Sequence, residues 1–248
     1  MVITVPRFFV DKENINSTSA VITGDDARHL SRVLRVKPGE ELVLCDSLGC
    51  DYLCAVESVS DSAVELSVKN SYPSVSEPSV RVSLYMALPK GDKMDYIIQK
   101  SVELGVYDIF PFSSERCIVK LTDKDKQKKC ERWNRIALEA AKQSGRGMIP
   151  CVHSPLSFNE MLKSSSQADL PIFFYEKERS VSLKSILGSK SFSTVSIIVG
   201  PEGGFSDEEA EKIISSGIPS VSLGERILRC ETAPGCAISA IMYETDNF

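Results

Sequence analysis

The spacing of hydrophobic and polar positions changes near residue 80 of this chain. Up to about residue 72, apolar and polar residues alternate, for example over residues 41–44 and 63–68. This spacing is typical of β-strands with one buried face. The region is therefore predicted to form a small β-rich domain, a barrel that carries one basic helix.

That helix is predicted over residues 25–35. Asp25 and Asp26 are suited to cap its start. Four apolar residues share the face that we expect to be buried: Ala27, Leu30, Val33 and Leu34. The outward side then carries three arginines: Arg28, Arg32 and Arg35.

Residues 73–79 combine prolines and serines without periodicity, which is typical of a linker. From residue 80 onward, strands alternate with helices, and this order predicts a mainly parallel sheet covered by helices. The predicted strands are 81–88, 107–112, 171–175, 195–199 and 219–223. The predicted organisation is thus a first domain over 1–72, a linker over 73–79 and an α/β domain over 80–248.

Three helices of the second domain have clear ends. The first starts after Asp92 and stops at Gly105, the second stops at Gly145, and the third starts near Thr232 with Pro234 in its first turn. Each helix has one face that is predicted to be buried. In the first helix this face consists of Met94, Ile97, Ile98, Ser101 and Val102, and in the second of Trp133, Ile136, Ala137, Ala140, Ala141 and Ser144. In the third helix it consists of Ala233, Cys236, Ala237, Ala240 and Ile241.

Composition excludes several classes of protein. With 42 % hydrophobic and 25 % charged residues, the chain is an ordinary globular one. No apolar run approaches the ~20 residues of a membrane helix, and no charged leader opens the chain, so a cytoplasmic protein without a membrane partner is expected. Eight cysteines without a C-x-x-C pair and only two histidines argue for reduced thiols, no metal site and no Ser-His-Asp triad.

Overall charge does not predict a nucleic-acid partner. The net charge is −5, although residues 116–146 contain ten bases and four acids. Such a run is most often a solvated helix face, so charge alone leaves RNA binding open.

The first chemically informative segment is the loop 200–204, Gly-Pro-Glu-Gly-Gly, directly after an apolar strand. Ser206 and Glu209 form an S-x-x-E capping box, so a helix opens immediately behind the glycines. Glycines at this place let the backbone approach a ligand closely, although a tight connection with no ligand is the alternative. The spacing fits neither the dinucleotide nor the P-loop pattern, so a phosphate cradle is not predicted.

The second segment is residues 223–233, again between a strand end and a helix start. Ile227 and Leu228 are suited to flank a flat apolar group such as an adenine, while Arg229 and Glu231 point elsewhere. In the alternative interpretation, Ile227 and Leu228 plug the core and Arg229 forms a salt bridge with Glu231.

Together, the loops 199–206 and 223–233 resemble those of the bacterial 16S ribosomal RNA methyltransferases that modify N3 of a uridine, a family of the SPOUT superfamily. The resemblance extends over nearly the whole chain, and the further matching segments are 7–9, 29–35, 93–94, 99–105, 115–116 and 139–146. It implies an N-terminal PUA-like β-barrel and a C-terminal α/β domain with a deep trefoil knot.

The same resemblance implies S-adenosylmethionine as the cofactor, a homodimer, and 16S rRNA or the small ribosomal subunit as the substrate. The residues that it places at the cofactor are Phe174, Tyr175, Glu176, Val199, Gly200, Pro201, Glu202, Gly203, Gly204, Leu223, Gly224, Ile227, Leu228, Arg229, Thr232 and Ala233. The 174–176 match is the weakest of the three segments.

For catalysis, we expect Arg229 to stabilise negative charge on the uracil, and Glu231 to orient Arg229 or to receive the N3 proton. An ion pair with Arg229 would lower the pKa of Glu231 and make it a weaker base. The residues expected to contact RNA are Arg7, Arg28, Arg32, Arg35 and Arg116, with Lys120 and Arg146 behind them. The alternatives are a cofactor-free RNA-binding module and another nucleotide-cofactor α/β transferase.

Overall fold

The computed structural model describes residues 6–188 and 191–248 and contains two compact units. The first unit comprises the chain up to Glu77 together with Ala141–Ile149, and the second comprises Pro78–Ala140 and Pro150–Phe248. Residues 141–149 thus belong to the β-rich unit, although no pattern in the sequence assigns them to it.

Within the described residues, five strands form the sheet of the first unit, in the order β1-β3-β4-β5-β2. They are β1 (Arg7–Phe9), β2 (Ser19–Thr23), β3 (Glu41–Cys45), β4 (Cys50–Val59) and β5 (Ala63–Pro73). The pairs are antiparallel except for β1, which runs parallel to β3. Leu42 and Leu44 are buried while Glu41 is exposed, so the alternating pattern is confirmed.

The predicted basic helix is present in two parts, α1 (Gly24–Arg28) and a π-helical segment over His29–Leu34. Only half of the predicted buried face is buried: Ala27 and Leu30 are inaccessible, whereas Val33 is 65 % and Leu34 43 % exposed. A π-turn holds more residues than an α-turn and so rotates the positions after Leu30 away from the core. The predicted cap is also wrong, because Asp25 and Asp26 lie inside the first turn.

A parallel sheet forms the centre of the second unit, with the strand order β11-β9-β10-β6-β7-β8 among the described residues. Its strands are β6 (Arg81–Ala87), β7 (Asp108–Phe112), β8 (Cys151–Val152), β9 (Leu170–Phe174), β10 (Thr194–Val199) and β11 (Ser220–Val221). All five predicted strands are therefore confirmed. β8 was not predicted, because its two residues, Cys151 and Val152, show no alternation of apolar and polar positions.

The described helices of this unit are α2 (Lys93–Glu103), α3 (Asp123–Ser144), α4 (Phe158–Ser165), α5 (Leu183–Leu187), α6 (Asp207–Ser215) and α7 (Ala233–Glu244). The last residues of α3, 141–144, belong to the first unit. Gly105 and Gly145 follow α2 and α3 with φ of +95° and +69°, the left-handed conformation that ends helices at glycine. Among the described helices, none is both long and apolar enough to span a bilayer.

The predicted buried face of α7 is partly wrong. Ala233, Ala237 and Ile241 are buried as expected, but Cys236 and Ala240 are exposed. The helix instead buries Ile238 and Met242, because these larger side chains remove more apolar surface from water than a thiol or a methyl group does.

Candidate functional site

The register of the sheet brings three strand ends to one place. Val199, the last residue of β10, pairs with Phe174 of β9, and Phe174 in turn pairs with Val221 of β11. On its other side, β10 pairs with β6, with Val199 opposite Met86. In parallel α/β sheets, ligands bind outside the carboxyl ends of the strands. The segments that follow these four strands are therefore the first candidates for a site.

A cavity of about 480 Å³ lies at this edge of the sheet, a size within the range of ligand pockets. The segments after β9, β10 and β11 line it, so the structure brings both predicted loops together. Of the residues predicted to hold a cofactor, all line the cavity except Thr232.

Phe205 packs against the first loop, residues 200–204. Its ring is fully buried and meets Phe173 edge-on at 4.9 Å between centroids. A Cβ at Gly200 would lie 2.7 Å from this ring, so the close packing requires glycine. Ser206 and Glu209 form the predicted capping box, and the second carboxylate oxygen of Glu209 accepts the N–H of Glu115 at 2.8 Å.

Gly204 shapes the wall of the cavity next to Glu176. Its φ is +64°, and a Cβ there would collide with the Glu176 carboxylate. Only glycine both adopts this φ readily and lacks a Cβ, so it allows the Glu176 carboxylate to lie against the backbone of the loop.

A cluster of three charged side chains, here called the Lys93 cluster, forms part of the wall. The Lys93 Nζ lies 2.9 Å from Glu202 Oε1 and 3.2 Å from Glu231 Oε2. The hydrogen bond to Glu202, with that to Glu231, raises the pKa of Lys93 to about 12. Lys93 is therefore an ammonium ion at neutral pH and not a general base.

Both glutamates of the cluster are ionised. Burial opposes the charge of Glu202, but hydrogen bonds from Lys93 and from backbone N–H groups outweigh it and lower its pKa. A hydrogen bond from its own backbone N–H, together with Cys230 and Lys93, lowers the pKa of Glu231. Burial raises the pKa of Cys230 to about 12, and its thiol donates to Glu231 Oε2 at 3.2 Å. A neutral thiol beside two carboxylates is not a nucleophile.

In the second loop, Ile227 and Leu228 line the cavity as the first interpretation expects, but Arg229 and Glu231 line it too and do not point elsewhere. Ile227 is 79 % exposed, so it does not plug the core. The Arg229 side chain is 84 % exposed, with its Nη1 3.9 Å from Glu231 Oε1, which makes the predicted salt bridge long and solvated. Arg229 is thus free to reorient toward a ligand at the cavity mouth.

Sequence reasoning assigned no role to Lys93. One signal was available in the sequence: Lys93 follows the carboxyl end of a predicted strand and opens the helix predicted after Asp92, which is α2. A cation is disfavoured at a helix N-terminus by the macrodipole, so a lysine there calls for compensating acids.

Two of the arginines predicted to contact RNA, the half-buried Arg7 and the buried Arg146, bond to groups of the first unit. We call Arg7, Asp51, Glu77 and Arg146 the Arg146 cluster. Arg146 is 3 % exposed and donates two hydrogen bonds to the Glu77 carboxylate, at 2.9 and 2.8 Å. Arg7 donates to Asp51 and to the carbonyls of Gly145 and Arg146. The burial of Arg146 contradicts its predicted RNA contact, because these bonds give it a structural role.

The remaining predicted arginines are on the surface. Arg28, Arg32 and Arg35 are exposed on the helical segment of the first unit, and Arg32 pairs with Asp61 at 2.6 Å. In the second unit Lys120 is exposed, and Arg116 donates to the carbonyl of Gly203 at 3.0 Å, which connects it to the cavity loop.

The lining of the cavity fits S-adenosylmethionine. Phe174, Val199 and Leu228 offer apolar surface for an adenine, and the glycine loop offers backbone groups. Three carboxylates, those of Glu176, Glu202 and Glu231, line the same space, together with four cationic side chains, those of Lys93, Arg179, Arg226 and Arg229. Charges of both signs suit a ligand that carries a carboxylate as well as positive charge on sulfur and nitrogen. The loop glycines are not followed by the lysine that a phosphate cradle would require.

Comparison with known proteins agrees with this geometry. Residues 75–242 match the family model described as an RNA methyltransferase domain, and residues 22–69 match an RNA methyltransferase PUA domain. The chain belongs to this RNA methyltransferase family. The predicted fold class is confirmed with it: a mainly parallel α/β methyltransferase domain of the SPOUT type, preceded by a small PUA-like domain.

The alignments with curated relatives extend over almost the whole chain. Ribosomal RNA small subunit methyltransferase E of Bacillus subtilis is 37 % identical over 97 % of both chains. The protein of the same name from Synechocystis is 32 % identical over 95 % of this chain and 76 % of its own length. A crystal structure of the Neisseria gonorrhoeae protein of that name, bound to S-adenosyl methionine, has a TM-score of 0.83 at 33 % identity, covering 97 % of this chain and 98 % of that one. Family membership and this bound neighbour confirm the predicted cofactor.

Proposed function

We propose that this chain uses S-adenosylmethionine to methylate N3 of a uridine in the 16S ribosomal RNA of the small subunit. The observation that carries the proposal is the cavity at the carboxyl ends of β9, β10 and β11, which combines apolar walls with charged side chains of both signs. The small-subunit names of the relatives support the RNA class, and the loop motifs of this sequence support the uridine position.

When bound, the cofactor supplies a methyl group on a positively charged sulfur. Uridine N3 carries a proton and becomes nucleophilic only as that proton passes to solvent water, so negative charge develops on the uracil. The N3–methyl bond then forms as the sulfur–methyl bond breaks. Arg229, exposed at the cavity mouth, is the residue that we assign to stabilise this charge. Glu231 bonds to Lys93 at 3.2 Å and makes only a long, solvated pair with Arg229 at 3.9 Å. Because its pKa is lowered, Glu231 serves better to orient a neighbouring cation than as a strong base.

RNA binding is assigned to exposed arginines and one lysine of the two units. Arg28, Arg32 and Arg35 lie together on the helical segment of the first unit, and guanidinium groups suit phosphate oxygens. Arg116 and Lys120 lie on the second unit, where Arg116 contacts the loop of the cavity. These residues position the RNA, while the target base must leave its stack to reach the cavity.

We also propose that the chain acts as a homodimer. The outer side of α7 exposes Cys236, Ala240 and Tyr243, and Tyr96 is exposed on α2, which packs against α7. Exposed apolar surface of this kind marks contact sites between proteins. Sedimentation of the wild type and of Ala240→Glu tests this proposal; a monomeric wild type would contradict it.

The proposed activity is tested directly with purified protein, S-adenosylmethionine and small-subunit RNA, either free or assembled. Nucleoside mass spectrometry is expected to detect 3-methyluridine in one of these substrates, and no product when the cofactor is omitted. A methylated nucleoside other than 3-methyluridine would overturn the assigned position. Tight binding of RNA with no binding of S-adenosylmethionine would favour a cofactor-free RNA-binding module, and binding of ATP or NAD in its place would favour another transferase.

A further inference from the structure

Lys93 occupies a position that is unfavourable for a cation. It is the first residue of α2, where the helix macrodipole is positive. The helix is held in place by buried residues directly behind it, Met94, Ile97 and Ile98, so the Cβ of Lys93 has little freedom to move. The ammonium group is therefore kept at the cavity by its two carboxylate partners.

The two partners belong to different loops. Glu202 lies in the loop after β10, where it also accepts the N–H of Lys90 at 3.2 Å, and Glu231 lies in the loop after β11. Since one nitrogen lies 2.9 and 3.2 Å from their oxygens, the two carboxylates are close neighbours. Without a cation between them, they would repel each other.

From this arrangement we propose that Lys93 is a positioning residue of the cofactor pocket, whose ammonium group ties the two loops together through Glu202 and Glu231. The inference rests on the use of S-adenosylmethionine under the proposed function, and it is independent of which atom of the RNA is methylated. Lys93 acts through the two glutamates and holds their carboxylates at fixed places on the wall.

A substitution separates this role from a simple charge effect. Lys93→Met keeps the unbranched side chain as far as its ε carbon and removes the ammonium group, which makes the wall more negative. A purely electrostatic role therefore predicts tighter binding of a ligand that is positively charged on sulfur. The positioning role predicts weaker binding, because the loops lose their tie and the carboxylates move apart. The two interpretations thus differ in the sign of the effect.

The positioning role also predicts a pH dependence. The titratable and charged groups that face Lys93 are Glu202, Glu231 and Cys230, with Arg229 beyond Glu231. In Lys93→Met, a proton shared by the two glutamates can replace the ammonium at low pH and is lost as the pH rises. The affinity of the variant relative to that of the wild type is therefore expected to fall between pH 5 and pH 8, and the comparison removes the titration of the ligand's own amino group, whose ordinary pKa is about 7.7–8.0.

The experiment is isothermal titration calorimetry of S-adenosylmethionine against four proteins at several pH values. At pH 8, Lys93→Met is expected to bind at least 10-fold more weakly than the wild type, and Lys93→Arg within a few-fold of it. Lys100→Met, which removes the lysine paired with Glu103 on the same helix, is the matched control and is expected to bind normally. Equal or tighter binding by Lys93→Met, with no pH dependence, would overturn the proposal.

The double variant Lys93→Met/Glu202→Gln provides a second readout, which also serves if the single variant folds poorly. It removes the repulsion, so its affinity is expected to lose the pH dependence; a double variant that keeps it would count against the proposal. If the wild type binds S-adenosylmethionine but forms no 3-methyluridine, the proposed function fails while the inference on Lys93 is still tested by these titrations.

Discussion

The Arg146 cluster of the first unit and the Lys93 cluster of the second are both groups of charged side chains, but they differ in exposure. In the first, the side chains of Arg146 and Glu77 are only 4 % and 15 % exposed, and Glu77 also accepts backbone N–H groups of Gly147 and Met148. In the second, Lys93, Glu202 and Glu231 form part of the wall of a cavity and are 34 %, 25 % and 20 % exposed.

The difference in exposure distinguishes a structural cluster of charged side chains from a functional one better than the charges themselves do. A buried ion pair whose groups bond to each other and to the backbone has no free side for a ligand, and its role is to hold residues 141–149 onto the sheet of the first unit. A cluster on a cavity wall keeps a solvated side that a ligand can reach. The predictions below test this distinction, beginning with the largest expected effect.

Arg146→Ala is expected to destabilise the protein by roughly 3–5 kcal/mol, because it leaves the Glu77 carboxylate buried without its partner. Urea denaturation measures this loss. Arg32→Ala removes an exposed pair with Asp61 and is the control, expected to leave the midpoint of the urea transition almost unchanged because solvent screens this pair. If both variants lose equally little, the structural role of the Arg146 cluster is wrong.

Arg229→Ala is expected to lower the rate of methyl transfer by about 10²-fold while the affinity for S-adenosylmethionine changes only a few-fold. The reason is that Arg229 is exposed at the cavity mouth and is assigned to charge that develops on the uracil. Single-turnover kinetics and calorimetry measure the two quantities. Near-normal turnover would contradict the assignment.

Gly204→Ala is expected to weaken binding of S-adenosylmethionine about 10-fold or more, because a Cβ would displace the Glu176 carboxylate from the wall. The left-handed backbone adds a strain of roughly 1–2 kcal/mol. Gly217→Ala has the same kind of strain, with a φ of +88°, but open space around its Cβ, so it serves as the control. If the two variants bind equally well, contact with Glu176 does not shape the pocket.

The smallest effect concerns pH and stability. The pKa values of Glu202 and Glu231 are held below the ordinary value of 4.5 in the folded chain, so their contribution to stability is present above pH 4.5 and is lost as the pH falls through the lowered values. The difference in Tm between the wild type and Lys93→Met is thus expected to narrow as the pH falls, first as the two glutamates of the variant come to share a proton and further below pH 4.5. A difference that stays constant down to pH 3 would show that the two carboxylates do not depend on Lys93.

The sequence was sufficient where the signal is local and periodic. The run 195–199, the glycines behind it and the Ser206–Glu209 capping box each depend on neighbours a few residues away, and all three are found as predicted. Because the strands are parallel, predicting the strand ends placed both loops at the same edge of the sheet. That they line one cavity depends on the strand order β11-β9-β10, and before the structure only the family resemblance implied it.

The errors have a different physical origin. Whether Arg146 is exposed depends on Glu77, a residue 69 positions away, and nothing in the local pattern reports that contact. Val33 and Leu34 are exposed because of a π-turn, for which the residue spacing gives no warning. Lys93 lies at the cavity only because β6 is adjacent to β10 in the sheet, an order that the sequence does not contain.

The most direct test of this account is a crystal structure of the protein soaked with S-adenosylmethionine. We expect the ligand between the segments that follow β9, β10 and β11, against the backbone of residues 200–204 and beside the second loop, with Lys93 still bridging Glu202 and Glu231. A ligand bound at any other surface, with this cavity empty, would contradict the account.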